Sequence, residues 1–92
     1  MKRHFALFYW PGPNRVSGQP VADQPLEEHL NYMQALNSDG IVKLGGPFED
    51  GSGGLRIVEA EHIDDVYELV DWDPAVRSGI LAVDVVGWDR FV

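Results

Sequence analysis

Apolar side chains fill both sides of the two end segments of this chain. From Arg3 to Trp10, Phe5, Leu7 and Tyr9 alternate with Ala6, Phe8 and Trp10. Successive side chains of an extended strand point to opposite faces, so both faces of this strand are apolar and both need cover. Pro11-Gly12-Pro13 ends it. The closing segment Leu81–Trp88 has the same character, with Leu81, Val83 and Val85 on one face and Ala82, Val86 and Trp88 on the other. Asp84 is its exception.

Between these strands the apolar spacing changes to three and four residues, which gathers side chains on one face of a helix. Leu26, His29, Leu30, Met33 and Leu36 form the inward stripe of a first helix, predicted from Pro25 to about Ser38. Pro25 suits a first helical turn, with Asp23 or Gln24 at the cap position, and Glu27 and Glu28 favour the positive end of the helix dipole. Asp39-Gly40 closes it. Ile63, Val66, Tyr67 and Val70 mark a second amphipathic helix. Ile41–Leu44, ended by Gly45-Gly46-Pro47, and Leu55–Ala60 read as a hairpin around the turn-rich Glu49–Gly54. Asp73 caps a further short turn through Pro74, Ala75 and Val76, closed by Gly79. The segment Pro11–Gln24 is a long loop, either a lid or a plain connection.

The order strand, helix, strand, strand, helix, strand is the split βαβ plan: an α+β, ferredoxin-like fold with one antiparallel four-stranded sheet and both helices on one face. Two helices cover one face only. The apolar outer sides of the end strands therefore predict a second copy packed sheet to sheet, a homodimer.

Ninety-two residues with 45% apolar content give one domain, spanning 1–92, with a core of its own. A net charge of −8 excludes nucleic acid and an anionic membrane face as partners. The absence of cysteine excludes disulfides, thiolate catalysis and zinc–thiolate sites. No stretch approaches the ~20 apolar residues of a membrane span, and the opening segment lacks the cleavage pattern of a signal peptide. A soluble cytoplasmic protein is expected.

His29 is the chemical anomaly. An imidazole on an inward stripe needs a hydrogen-bond partner, and a carboxylate partner would hold one tautomer ready for proton transfer. The residue alone fits equally a core histidine bonded to a backbone carbonyl. Asp73 has the same two readings, helix cap or site acid. One carboxylate serves both only if one oxygen caps and the other faces the imidazole. Gly45-Gly46-Pro47 is either a plain strand end or a close approach of backbone to a ligand. Gly51-Ser52-Gly53-Gly54 precedes no helix and holds no lysine, so it reads as a hairpin loop rather than a phosphate cradle. His4, His29 and His62 show no paired ligand spacing, so no metal site is expected. Tyr9, Trp10, Tyr32, Phe48, Trp72 and Trp88 suit a pocket for an aromatic ligand, a core or an interface.

Taken together, the aromatic opening strand Phe5–Trp10, Glu28-His29-Leu30 on a helix closed by Asp39-Gly40, Gly45-Gly46-Pro47-Phe48, and Asp73-Pro74 followed by Gly79 and a strand carrying Trp88 resemble the YCII-related (YciI-like) proteins. The Pro-rich loop after the first strand departs from that pattern. The resemblance implies a dimeric α+β barrel and a His–Asp pair, here His29 and Asp73. One branch of the family includes a dehydrochlorinase acting on a hydroxylated aromatic ring. The reading that follows is a small cofactor-independent catalyst in which His29 moves a proton and Asp73 orients it. Its ligand would be a small organic molecule, cyclic or aromatic, and its chemistry lyase-type. Related barrels include haem proteins, but haem needs a proximal histidine, which only His29 could supply, and no cofactor is expected. The alternative is a binding or accessory module that uses the same cavity without chemistry.

Overall fold

The structure, a computed structural model, describes residues 2–20 and 23–91. Val21 and Ala22, within the loop expected between the first strand and first helix, lie outside the described residues. The elements run β1 (Arg3–Pro11), α1 (Glu27–Ser38), β2 (Val42–Pro47), β3 (Gly54–Ala60), α2 (Ile63–Asp71), α3 (Pro74–Arg77) and β4 (Leu81–Trp88). The sheet order is β2-β3-β1-β4, with every neighbouring pair antiparallel. This is the split βαβ arrangement expected from the pattern of the chain.

Register explains which side of each strand is buried. Phe5 lies opposite Val58 and Gly87, Leu7 opposite Arg56 and Val85, and Tyr9 opposite Gly54 and Val83. Directly opposed residues share a face. The face carrying Phe5, Leu7 and Tyr9 packs against Met33 and Leu36 of α1, Val66 of α2 and Ala75 of α3. The other face carries Phe8, Trp10, Val86 and Trp88, and among the described residues no helix or strand covers it; Trp10, Leu44, Val86 and Trp88 are exposed.

Three local expectations are corrected. First, α1 begins at Glu27, not Pro25; Leu26 stands at its N-cap without a side-chain bond. Gln24 is drawn elsewhere: its buried amide accepts from Val16 N at 2.7 Å and donates to Val16 O at 2.9 Å and Gln19 O at 3.0 Å, tying the long loop together. Second, Leu30 is 53% exposed, because the inward stripe of α1 is His29, Met33 and Leu36. Tyr67 is likewise exposed on α2, where Val66 is the buried residue. Third, Gly45-Gly46-Pro47 does not end β2 but belongs to it, pairing with Arg56, Leu55 and Gly54. β2 is an edge strand, where a proline without an N–H leaves no ladder bond unmade.

The ends hold as the sequence suggests. Asp39 N–H bonds back to Ala35 O, and Gly40 follows at φ 75°, a backbone region open to glycine without strain. The start of the long loop is pinned to the turn before β4: Gly12 N donates to Ile80 O at 2.8 Å and Asn14 N to Gly79 O at 2.8 Å.

Candidate active site

Two elements distant in sequence bring His29 and Asp73 together. His29 lies in the first turns of α1, on its buried stripe. Asp73 precedes Pro74, which prevents α2 from continuing and starts α3 with a preset φ. Asp73 is the N-cap of α3, in extended backbone, and its Oδ1 accepts from Ala75 N at 2.9 Å. α1 contacts α3 directly, so the cap carboxylate faces the α1 stripe.

His29 Nδ1 lies 2.8 Å from Asp73 Oδ2 and 2.9 Å from Oδ1. Their exposures are 4% and 1%. The double duty asked of Asp73 is thus met: Oδ1 caps α3 while Oδ2 faces the imidazole at the shorter distance. A carboxylate facing Nδ1 requires the ring proton there, which leaves the lone pair on Nε2. Among the described residues no hydrogen bond ties Nε2 to the protein, and no fully buried side-chain nitrogen or oxygen lacks a partner. Nε2 therefore retains access to the cavity that His29 lines.

That cavity has a volume of about 940 Å³ and lies between the start of α1, the β2–β3 hairpin and the α3–β4 turn. It is at the upper end of the ~300–1,000 Å³ usual for small-ligand sites. Its lining is largely apolar, with Leu26, Leu30, Pro47, Leu55, Pro74 and Ile80 around the polar groups of Tyr9, Gln24, His29, Arg56 and Ser78, and the exposed Glu27 and Glu28 of α1 also border it. Gly46 and Pro47 line it; Gly45 does not. Gly53 and Gly54 also line it, while Ser52 bonds back to Asp50 as in an ordinary hairpin loop.

Tyr9 is buried with its ring edge-on to His29, centroids 5.5 Å apart. Burial, then the negative charge of Asp73, holds its phenol well above the usual range, and Arg56 acts against them. Tyr9 therefore remains a hydroxyl beside the pair. The other singled-out aromatics are elsewhere: Trp10 and Phe48 pack together at 5.7 Å, and Tyr32 and Trp72 line a second hollow with Glu59 and Glu68. Tyr32 donates to Leu69 O at 2.7 Å. Among the described residues no three His, Asp or Glu side chains are grouped to hold a metal ion.

Arg56 has no counterpart in the sequence-based expectations. The signal was present in β3, where Gly54, Arg56, Val58 and Ala60 form one alternate set; a charged residue beside Val58 interrupts a face otherwise fit for burial. Only the register opposite Leu7 shows that this face turns to the helices.

Comparison with known proteins agrees with the geometry. The chain is 30% identical over 60 residues to the uncharacterized protein YjpA of Bacillus subtilis (strain 168), covering 65% of this chain and 71% of that one. It superposes with a TM-score of 0.73 and 26% identity on 5-chloro-2-hydroxyhydroquinone dehydrochlorinase (TftG) from Burkholderia phenoliruptrix AC1100, solved in complex with 2,5-dihydroxybenzoquinone, over 96% of this chain and 95% of that one. A model of the YCII-related domain matches residues 4–89, and the chain therefore belongs to the YCII-related family.

Proposed function

We propose that the protein is a lyase-type general acid/base catalyst acting on a small cyclic organic molecule, with His29 as the proton-transfer group and Asp73 as the residue that orients it. The observation that carries this reading is the buried His29 Nδ1–Asp73 contact at 2.8 Å, with the opposite ring nitrogen left to the cavity. Asp73 fixes the tautomer and stabilises the imidazolium that forms when Nε2 takes a proton. The electron pair left on the ligand moves into its ring system, and the leaving group departs with its own bonding pair. The proton on Nε2 then passes to the departing group or to water. The dehydrochlorinase activity named for the structural neighbour has this form, loss of chloride and a proton, and supports the reading.

The protein acts, in the same proposal, as a homodimer through the open sheet face. Trp10, Leu44, Val86 and Trp88 are exposed on one surface with no covering element, and a second copy supplies an equivalent apolar surface.

The test substrate is 5-chloro-2-hydroxyhydroquinone, followed by chloride release. His29→Gln and Asp73→Asn, each confirmed folded by near-UV circular dichroism, should slow release by about 100- to 10,000-fold. Turnover that survives both changes ends the catalytic reading. Binding of 2,5-dihydroxybenzoquinone by the wild-type protein without chloride release favours a binding module, since the cavity would then be used without chemistry.

A further inference from the structure

Arg56 places a positive charge on the helix-covered side of the sheet. It lies opposite Leu7 of β1 and Gly45 of β2, and so shares the face that packs beneath the helices. Its Nε donates to Met33 Sδ at 2.8 Å, and its guanidinium carbon stands 5.6 Å from the centre of the Tyr9 ring. Neither neighbour neutralises it. The ion pairs among the described residues fall on Glu59 and Asp73, and none includes Arg56. This is so in a chain with 15 acidic side chains against 7 basic ones. A partly buried cation without a counter-ion is costly to keep, and a guanidinium offers a planar fork of donors suited to anionic oxygens.

Room is kept for that fork. A β-carbon at Gly45 would come within 2.6 Å of Arg56 Nη1, so the missing side chain leaves the guanidinium its place across β2. Arg56 lines the same cavity as His29 and supplies the lining's only Lys or Arg charge; the carboxylates that also border the cavity, Glu27 and Glu28, are exposed to solvent at the start of α1, whereas Arg56 is half-buried, and none of the ion pairs joins them to it. Both groups border the Tyr9 ring, at 5.5 Å for the imidazole and 5.6 Å for the guanidinium. Both groups therefore flank one aromatic side chain of a single cavity.

We propose that Arg56 recognises an ionised oxygen on the ligand, which makes the cavity selective for small cyclic organic anions of the enolate or phenolate type. The inference rests on the reading of this cavity as the ligand site and adds the class of molecule it takes. The chemistry agrees with the proton transfer proposed for His29. Removing a proton from such a ring enlarges its negative charge, and a fixed cation in the same cavity is already placed to stabilise it. The competing account is that Arg56 only packs against Tyr9 and Met33. That account predicts a loss of stability on substitution and no change in charge preference.

Two probes with the same ring separate these accounts. 2,5-Dihydroxybenzoquinone is a vinylogous acid, ionised at neutral pH; 2,5-dimethoxybenzoquinone has no ionisable oxygen. Calorimetric titration of the full chain should show that the wild-type protein prefers the ionised probe. Arg56→Met should weaken the ionised probe by about 10- to 100-fold and the dimethoxy probe by no more than about twofold, with Arg56→Lys recovering part of the loss. Raised salt should weaken the ionised probe on the wild-type protein and not on Arg56→Met. Equal affinity of the wild-type protein for the two probes overturns the proposal, as does an equal loss of both in Arg56→Met. Chloride release by His29→Gln reports on the acid/base reading alone. Anion preference lost in Arg56→Met beside turnover unchanged in His29→Gln would keep this inference and remove that one.

Discussion

On one side of β1, Phe5, Leu7 and Tyr9 are buried beneath the helices; on the other side of the same strand, Phe8 is half-buried and Trp10 is exposed. The two faces are about equally apolar in sequence, yet only the covered face buries an ionisable pair. His29 and Asp73 are buried there in contact, and Arg56 lies on the same face against Tyr9 and Met33, while the open face shows Leu44, Val86 and Trp88 to solvent. Covering a face with helices makes burial of polar groups affordable only where each finds a partner, and that requirement selects the Asp73 cap as the partner of His29. The polar groups of the open face keep part of their contact with solvent: His4 Nε2 lies 3.4 Å from Glu59 Oε2, and Trp10 Nε1 donates to Asp84 Oδ2 at 3.0 Å. The proposed division, chemistry on one face and association on the other, would follow from which face the helices take.

The largest effect that tests this division lies within one strand. Phe5→Ala removes a side chain with no exposure, packed in the central cluster, and should cost about 3–5 kcal/mol. Phe8→Ala, three residues on but on the opposite face, should cost roughly 1 kcal/mol when measured by urea unfolding at concentrations where the protein is monomeric. Equal costs for the two would mean that both faces are buried within the single chain.

Much of this was readable from the sequence because alternation and helical spacing are local. The succession of strands and helices, their amphipathic patterns and the Asp73 cap all follow from residues within a few positions of one another. The start of α1 was not readable, because the expected cap residue Gln24 is recruited by Val16 and Gln19, a competition that spacing does not reveal. Leu30 fitted the stripe by count, yet it follows His29 by one residue and so lies about 100° around the helix from it, off the buried line of His29, Met33 and Leu36. The meeting of His29 and Asp73, 44 positions apart, was implied by family resemblance and by the need of a buried imidazole for a partner, not by any local signal. Arg56 required register: nothing near it in the chain says which side of β3 the helices cover.

The next effect concerns the open face. Val86 is exposed and lies opposite Ala6 near the middle of that surface. Val86→Asp places a charge there without disturbing the covered core, so the folded monomer should persist. If a second copy packs on this face, association should weaken by roughly 30-fold or more, seen as a shift to monomer in light scattering behind size exclusion. An unchanged mass would move the interface elsewhere and leave the apolar outer face unexplained by self-association.

The smallest effect distinguishes the faces by pH. Burial, with a further contribution from the Asp73 charge, raises the folded Tyr9 phenol above the ordinary value of 10.0. Between the unfolded and folded values the native state keeps a proton that the unfolded chain has lost, so stability falls as pH rises. The Tyr9 contribution is therefore fully present below about pH 10 and declines above it. Tyr9→Phe removes the ionisable group while keeping the ring against His29, and should flatten the alkaline decline in urea midpoints between about pH 9 and pH 11. Tyr32, also raised but less buried, should give a weaker flattening as Tyr32→Phe. On the open face, Trp10→Phe should leave the alkaline slope unchanged, since an indole does not titrate there. An alkaline slope that is the same in Tyr9→Phe as in the wild-type protein would mean that the hydroxyl beside the imidazole is in contact with water, and the covered face would be wetter than its packing shows.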